Sequence, residues 1–374
     1  MRLESLCLSG FRNYDAAEIP FGPGVNLILG RNAQGKTNLL EAVTYLSTGK
    51  SFRTRREQEL IGFGREYADI ACRLQSGGRE QSIRAVLYGG RRRRQLFIGG
   101  VKQRTAEHLP GVLTTVLFCP EDLMILKSGA AARRRFLDDA ISQLRPNYER
   151  ALREYSRLLD HKSRILKDHF ETPSALETLP EFNERLAQTG ALIIAYRARY
   201  LQKLNETSAR FHAEFSGGRE ALTLSYQTVS TVTDPLAPAR EIAERLREHM
   251  RSHFAAELAS AACLTGPHRD DFDAALSGRS IRAFGSQGQT RTAAVSLKLA
   301  ERAIVFDDTG EEPVLLLDDV LSELDSARQE FVLNRIGGGQ TLVSCCEAAS
   351  VERMTGGRVL YMDKGRVNEV CTSI

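Results

Sequence analysis

Residues 30–37 read Gly30-Arg-Asn-Ala-Gln-Gly-Lys36-Thr37, a complete G-x-x-x-x-G-K-T phosphate loop. The apolar run Val25-Asn-Leu-Ile-Leu29 before it predicts a short buried strand, and apolar residues at helical spacing from Leu39 to Leu46 predict a helix after it. At such a junction, backbone N–H groups of the loop and of the helix N-terminus surround phosphate oxygens. The stretch therefore predicts a strand–loop–helix unit that binds a nucleotide.

The side chains at the end of the loop have distinct predicted roles. Lys36 is expected to reach the β- and γ-phosphates, and Thr37 is expected to offer its hydroxyl group to Mg²⁺. The predicted nucleotide contacts comprise all eight loop positions, Gly30, Arg31, Asn32, Ala33, Gln34, Gly35, Lys36 and Thr37. The alternative is a glycine-rich turn without a ligand. With only nine lysines in the chain, a shuffled sequence would match the pattern roughly one time in a hundred.

An acidic strand end far along the chain completes the predicted site. Val314-Leu-Leu-Leu-Asp318-Asp319 has four apolar residues before two carboxylates. This pattern is typical of a buried parallel strand whose C-terminal edge faces a ligand crevice. We expect Asp318 to hold Mg²⁺ together with Thr37, and Asp319 to orient or deprotonate the attacking water. Lys36, Asp318 and Asp319 are the predicted catalytic residues, and the alternative is a buried strand that ends in a solvated acidic turn.

A second anion-binding pattern precedes this strand. Ser286, Gln287, Gly288 and Gln289 open a predicted helix, where their neutral donors and the helix dipole favour an anion. By itself the segment could be a glycine-assisted helix cap. Followed by the acidic strand and by Ser322-Glu-Leu-Asp325, it is similar to the signature and D-loop of ABC-type ATPases. That similarity adds residues 286–289 and Asp325 to the predicted nucleotide contacts, with the signature acting on a partner's nucleotide.

Glycine content indicates the domain organisation. Residues 130–265 contain only three of the 30 glycines and carry apolar stripes at helical spacing, which predicts two long antiparallel helices and a further helix from about 239 to 262. Together with the similarity to ABC-type ATPases, this pattern implies an α/β fold, an ABC-type P-loop ATPase head with an inserted, mainly helical lobe. The expected bounds are 1–129 and 266–374 for the head, with a basic β-rich part at about 50–110, and 130–265 for the lobe.

Positive charge is concentrated in that β-rich part. Residues 50–110 carry 14 Lys and Arg against 6 Asp and Glu, although the whole chain has a net charge of only +4. Arg91, Arg92, Arg93 and Arg94 lie between two predicted strands, at the tip of a predicted hairpin. Guanidinium groups at such a tip can neutralise phosphates without reading base sequence, so we predict contact with DNA. A solvated arginine-rich turn is the alternative. No aromatic residues are interleaved with the arginines in a way that would mark a stacking platform for single strands.

Other sequence features bear on the location of the protein. No run of 18 apolar residues and no export signal is evident, and the seven cysteines show no metal-binding spacing. We therefore expect a cytoplasmic protein without a membrane partner, whose cysteines serve in packing.

Eight segments together resemble the RecF family, bacterial DNA replication and repair ATPases related to the SMC family. In order they are Phe11-Arg-Asn-Tyr14, Gly35-Lys-Thr-Asn-Leu-Leu-Glu-Ala42, Ser51-Phe-Arg-Thr54, Pro120-Glu-Asp-Leu123, Arg134-Arg-Phe-Leu-Asp138, Gly266-Pro-His-Arg-Asp-Asp271, Gly285-Ser-Gln-Gly-Gln289 and Leu315-Leu-Leu-Asp-Asp-Val320. The resemblance implies ATP and Mg²⁺ as cofactors, ATP-dependent homodimerisation, and slow ATP hydrolysis that serves as a switch. It also implies binding to single-stranded or gapped DNA, cooperation with RecO and RecR in loading RecA, and roles in replication and the SOS response.

The chain departs from the family pattern at a few places. Thr290 stands where a second glutamine is usual, and Cys345 and Cys346 replace part of a threonine-rich stretch. The polar run Gly266–Asp271 could be a catalytic site, but it more simply positions the chain as it returns to the head. A P-loop ATPase of another SMC-like or transporter-like class is the alternative function. A metabolic phosphotransferase would leave the signature-like elements without a role.

The arginine run yields a first prediction. Replacing Arg91 to Arg94 with neutral residues should weaken DNA binding about equally across base sequences and flatten the slope of log K against log salt, since fewer counterions are released. The measurement is a salt titration of binding to several duplexes. An unchanged slope would show that the run is a solvated turn.

Overall fold

The computed structural model describes residues 1–90, 92–346 and 357–370. The chain forms two compact units. The first unit comprises Met1–Met124 and Arg291–Ile374, and the second unit comprises Ile125–Thr290. Among the described residues, no helix has both the length and the apolar character needed to cross a membrane.

Fifteen strands are assigned within the described residues. In chain order they are β1 (Arg2–Phe11), β2 (Tyr14–Pro20), β3 (Val25–Leu29), β4 (Tyr67–Ser76), β5 (Arg79–Tyr88), β6 (Gln95–Ile98), β7 (Val101–Gln103), β8 (Thr115–Phe118), β9 (Leu222–Gln227), β10 (Asp271–Leu276), β11 (Arg279–Ser280), β12 (Val314–Asp318), β13 (Thr341–Cys345), β14 (Arg358–Asp363) and β15 (Arg366–Val370).

Nine α-helices are assigned within the same residues. They are α1 (Lys36–Thr48), α2 (Ala130–Leu144), α3 (Pro146–Asp168), α4 (Leu179–Ser216), α5 (Ala239–Ser252), α6 (Phe254–Ser260), α7 (Ile281–Phe284), α8 (Gln287–Thr309) and α9 (Ser326–Leu333).

The first unit contains two six-stranded sheets. One is antiparallel, in the order β2-β1-β4-β5-β6-β7. The other has the order β15-β14-β3-β13-β12-β8, and its strands run parallel except for β15 at one edge. The apolar strands β12 and β13 are buried along their whole length, as expected for a parallel sheet covered on both faces. The predicted mixed α/β architecture is confirmed.

Helix α1 is the central element of the first unit. Ten of its 13 residues are buried. One continuous core contains Leu6 of the antiparallel sheet, Leu40 and Val43 of α1, and Leu316 of the parallel sheet, each with no exposed surface. Because apolar side chains surround the helix, its axis and its N-terminus are fixed by packing on two sides.

The second unit is mainly helical, with one small sheet. The first of the two long predicted helices is divided into α2 and α3 at Arg145, and the second is α4. The helix predicted from 239 to 262 is likewise divided into α5 and α6 at His253. Strands β10 and β11 form a hairpin after residue 270, and β10 also pairs with β9. That pairing places residues 271–276 in the second unit, although the sequence drew the lobe boundary at 265/266. The division into head and lobe domains remains a proposal.

The core around α1 generates a stability prediction. Val43→Ala removes two buried methyl groups and should lower the free energy of unfolding by about 1–3 kcal/mol, since each buried methyl group contributes roughly 0.5–1.5 kcal/mol. Val101→Ala is the matched control, because Val101 is 65% exposed in the same unit. Urea unfolding measures both variants. If Val43→Ala and Val101→Ala have the same free energy of unfolding, the packing described for α1 is wrong.

Candidate functional site

The candidate site lies at one edge of the parallel sheet. Strand β13 is paired on one side with β3 and on the other with β12, and all three run in the same direction. Their carboxyl ends therefore meet at the same edge. The phosphate loop follows β3. Asp318 ends β12 and Asp319 comes directly after it, while Ser344 lies near the end of β13 and Cys346 comes directly after that strand.

Gly35 joins the loop to α1 in a conformation that favours glycine. Its φ is 113°, and a Cβ atom there would lie 2.7 Å from Asn13 Nδ2. The hydroxyl group of Tyr14 donates a hydrogen bond of 2.9 Å to the Gly35 carbonyl oxygen, and Asn13 Nδ2 donates one of 3.1 Å to the Gln34 carbonyl oxygen. The turn between β1 and β2 thus holds the loop from outside.

Lys36 lies inside the loop and is 4% exposed. Its Nζ atom donates hydrogen bonds of 2.7 Å to the Gly30 carbonyl oxygen and 3.2 Å to the Arg31 carbonyl oxygen, and it lies 3.3 Å from Cys346 Sγ. The ammonium group is therefore located where the loop curves around it. This is the position from which a lysine can reach phosphates held by the loop.

The start of α1 fits an anion. No side chain caps the helix at Gly35, and its first turn has no acidic residue. The N–H groups of a first helical turn have no partner within the helix, and the helix dipole adds partial positive charge there. A phosphate group suits both features.

The acidic pair fits a magnesium ion. Asp318 is buried, and its Oδ1 atom accepts hydrogen bonds from Thr37 Oγ1 at 3.0 Å and from Ser344 Oγ at 2.8 Å. Burial raises the pKa of Asp318, while these two hydroxyl groups oppose the shift by donating to the carboxylate. Oxygen ligands at about 2.1 Å in octahedral geometry lie about 3 Å apart, which matches the distance from Thr37 to Asp318.

Asp319 differs from Asp318 in its backbone and its exposure. Its φ is 52°, in the left-handed region, and its N–H group donates to Ser344 Oγ at 2.9 Å. Both carboxylate oxygens lie 3.8 Å from Cys346 Sγ. The side chain is only partly buried, so water can reach it. The predicted catalytic residues are thus brought together at one sheet edge.

Two site residues were not identified from the sequence. Ser344 bonds to both members of the acidic pair, and Cys346 lies within bonding distance of Lys36 and of Asn32, with Sγ donating to Asn32 Oδ1 at 2.8 Å. From the sequence, both Cys345 and Cys346 are expected to serve in packing. That holds for Cys345, which is buried, but Cys346 is an exposed residue of the site. The sequence could not identify Ser344 and Cys346 because it does not show the strand order, in which β13 lies between β3 and β12.

The signature-like segment forms a helix cap in the second unit. Gln289 N donates to Ser286 Oγ at 3.2 Å, and Ser286 N donates to Gln289 Oε1 at 2.9 Å, a reciprocal capping box. The segment therefore caps its helix, while nucleotide contact by Ser286, Gln287, Gly288 and Gln289 stays a prediction. Asp325 caps α9 by accepting from Arg328 N at 3.0 Å, and its predicted nucleotide contact is likewise untested.

The arginine run occupies the predicted hairpin tip between β5 and β6. Arg91 lies outside the described residues. Arg92 and Arg93 are exposed, and the Arg92 guanidinium stacks on the Tyr88 ring at 3.6 Å. Arg94 instead points inward, where it donates to Tyr45 Oη, to the Gly49 carbonyl oxygen and to Glu57. A phosphate contact by Arg94 would require these bonds to break.

The polar run Gly266–Asp271 is embedded in the second unit. His268 Nε2 lies 3.1 Å from the Cys263 carbonyl oxygen, which makes Nδ1 the acceptor of a 2.7 Å hydrogen bond from Tyr155. Burial lowers the pKa of His268 to about 4. Arg197 donates to the Pro267 carbonyl oxygen at 2.7 Å. These contacts give the run a structural role, in agreement with the simpler interpretation.

Comparison with known proteins identifies the family. The family model described as RecF/RecN/SMC N terminal domain matches residues 2–368. The DNA replication and repair protein RecF of Clostridium acetobutylicum is 36% identical over 371 residues, covering 99% of this chain and 100% of that protein. The protein of the same description from Bacillus subtilis is 37% identical over 95% of this chain and 96% of its own length.

Solved structures show the same relationship. The recombination mediator protein RecF-ATP in the RecFOR pathway superposes with a TM-score of 0.91 at 35% identity, covering 99% of this chain and 98% of that chain. The Smc head domain of Pyrococcus furiosus has a TM-score of 0.57 at 18% identity and shows the fold alone. The predicted ABC-type head with a helical lobe is thereby confirmed. The chain belongs to the RecF family of DNA replication and repair proteins, which is related to the SMC proteins.

Proposed function

We propose that the chain is an ATP-dependent DNA-binding protein of recombinational repair and replication restart, in which ATP acts mainly as a switch. The observation that carries the proposal is the convergence of Lys36, Thr37, Asp318 and Asp319 at one sheet edge. The similarity to a RecF-ATP structure supports the choice of nucleotide. The names of the relatives support the choice of process.

The residues of the site have complementary tasks in this proposal. Backbone N–H groups of the loop and Lys36 bind the phosphates, while Thr37 and Asp318 hold Mg²⁺. When bound, Mg²⁺ neutralises charge on the phosphate oxygens. Asp319, which is more accessible than Asp318, orients the attacking water or accepts its proton. Ser344 Oγ donates to the Asp318 carboxylate and accepts from the Asp319 N–H group, which fixes the two acidic residues relative to each other.

The site is proposed to be completed by a second copy of the chain. Ser286, Gln287, Gly288 and Gln289 start a helix whose N-terminus favours an anion, and Asp325 starts another. In an ATP-dependent homodimer, these residues would contact the nucleotide held by the partner's phosphate loop. Slow hydrolysis would then end the dimeric state.

The wider cellular role follows from the family. We propose that the cytoplasmic dimer binds single-stranded or gapped DNA and acts with RecO and RecR to load RecA, which also supports normal SOS induction. The mention of the RecFOR pathway for the similar structure supports RecO and RecR as partners. Arg92 and Arg93 are proposed to contact the DNA backbone, because both are exposed at the hairpin tip.

Two substitutions test the nucleotide site and its link to DNA. Lys36→Met removes the charge that neutralises the phosphates, so it should weaken ATP binding or abolish hydrolysis and remove the ATP dependence of DNA binding. Asp319→Asn should retain ATP but stop turnover. Nucleotide binding, phosphate release and DNA anisotropy with and without ATP measure these effects. If both variants match the wild type in all three assays, the site assignment is wrong.

Mixed dimers test the composite site. Lys36→Met inactivates a subunit's own loop, and Ser286→Arg places bulk and charge beside the partner's nucleotide, so each variant alone should be inactive. In a mixed dimer both lesions fall in one site and the other site is intact. With random exchange, up to about a quarter of wild-type ATPase activity should return if the two sites are independent.

Dimerisation provides a second measurement for the mixture. Light scattering should show ATP-dependent dimers in the mixture but not with either variant alone. A mixture that neither dimerises nor hydrolyses ATP would mean that Ser286 acts in its own subunit or that both sites must be intact. Crosslinking between cysteines introduced at Ser286 and Asn32 distinguishes these explanations, because only a composite site brings them together across subunits.

A further inference from the structure

The first unit carries a fully exposed aromatic side chain next to the arginine hairpin. Phe63 has a relative exposure of 107%, the highest of the large apolar residues in the described part of the chain. Burying such a side chain would gain about 1.5–3 kcal/mol, so its exposure needs an explanation. The flanking residues are Gly62 and Gly64, which places the ring at the tip of a turn.

The turn that carries Phe63 is anchored rather than loose. Arg65 N donates to the Gly62 carbonyl oxygen at 2.9 Å, which closes a β-turn. Gly64 is the third residue of this turn, and its φ of 75° is the positive value that a type II turn requires there. Gly62 N donates to the Gly10 carbonyl oxygen at 2.7 Å, near the end of β1. The ring is therefore presented to solvent by a fixed backbone.

Two more aromatic rings lie where β4 begins and β5 ends, at one end of these two neighbouring strands of the antiparallel sheet. Tyr67 begins β4 and is directly opposite Tyr88, which ends β5, and their ring centroids are 6.5 Å apart. Tyr67 is 50% exposed. The guanidinium of Arg92 covers the other ring at 3.6 Å, so aromatic and cationic groups alternate here.

Backbone and side-chain bonds join the residues on either side of the Phe63 turn to the arginine hairpin. Gly89 N donates to the Glu66 carbonyl oxygen, and Gln58 Nε2 donates to the Gly90 carbonyl oxygen, each at 2.9 Å. These bonds hold the two segments close together, and the exposed groups on them form a candidate binding surface. We name it the aromatic–arginine surface and define it by Phe63, Tyr67, Tyr88, Arg92 and Arg93.

Charge at this surface favours a polyanion. Residues 50–110 have 14 basic against 6 acidic side chains. Two of the acidic groups are already paired, Glu57 with Arg94 and Asp69 with Arg84. Among the described residues, Arg93 makes no hydrogen bond or ion pair and is exposed. The uncompensated charge is therefore positive, which disfavours an ordinary apolar protein partner and suits phosphates.

We propose that the aromatic–arginine surface binds single-stranded nucleic acid, with an unpaired base stacked on Phe63 and the backbone phosphates held by Arg92 and Arg93. The inference rests on the proposed DNA-binding function and adds a base-stacking site to it. An aromatic ring has a face for any base, so the contact tolerates every base sequence. It also requires an unpaired base, which distinguishes a single strand or a gap from continuous duplex.

The test compares the full-length protein with Phe63→Ala, using fluorescence anisotropy with ATP and Mg²⁺. The probes are a thymidine oligonucleotide, an abasic oligonucleotide of equal length, and a duplex. Loss of stacking should weaken binding of the thymidine strand about 5-fold to 100-fold. Binding of the abasic strand and of the duplex, and the salt slope, should stay unchanged. Phe63→Tyr should restore binding, because it keeps a ring.

Two controls separate stacking from other causes. Phe170→Ala removes another exposed phenylalanine, 83% exposed in the second unit, and should leave all three affinities unchanged. Arg92→Gln with Arg93→Gln should weaken all three probes and flatten the salt slope, since these residues contact phosphates.

The outcomes distinguish this inference from the proposed function. The stacking site is overturned if Phe63→Ala binds the thymidine strand with wild-type affinity, or if it loses the same affinity for the thymidine and abasic strands. DNA binding itself stands in either case. Failure of the wild-type protein to bind any probe overturns the DNA-binding proposal and the stacking site together. A loss confined to the thymidine strand supports the stacking site.

Discussion

The burial of α1 between two sheets is the constraint on which the rest of the first unit depends. Leu40 and Val43 have no exposed surface and belong to a core shared with both sheets. A helix packed on both sides cannot shift along its axis without opening cavities on each. The position of Gly35, and with it the direction of the free N–H groups, is therefore set by apolar packing behind the site.

A buried charge strengthens the same constraint. Glu41 on α1 is fully buried, and its carboxylate accepts hydrogen bonds from Arg12 Nε at 2.9 Å, Arg12 Nη2 at 2.8 Å and Ser51 Oγ at 2.5 Å. Loss of Arg12 would remove the shortest charged contacts of this buried carboxylate and leave Arg53 at 3.5 Å as its ion-pair partner, which should destabilise the unit. The segments around Phe11–Tyr14 and Ser51–Thr54 thus have a physical reason to accompany the phosphate loop: they fix the helix that the loop precedes.

The described arginines of the run at residues 91–94 lie in two different environments. Arg94 is part of an internal network with Tyr45 and Glu57, whereas Arg92 and Arg93 face solvent. The inward arginine holds the hairpin against the end of α1, and the outward ones are available to a polyanion. Arg92, Arg93 and Arg94 thus share the same chemistry but differ in their surroundings.

The sequence by itself determined the phosphate loop, the acidic strand end, the helical middle and the hairpin at the arginine run. Each is a local pattern, because strand, turn and helix preferences act over a few residues. Only the tertiary structure decided that β13 lies between β3 and β12, which brings Ser344 and Cys346 to Lys36 and Asp318. It also turned Arg94 inward and placed Tyr67 opposite Tyr88. Those relations depend on strand order and on which side of a strand faces the core, and residues distant in sequence fix both through packing.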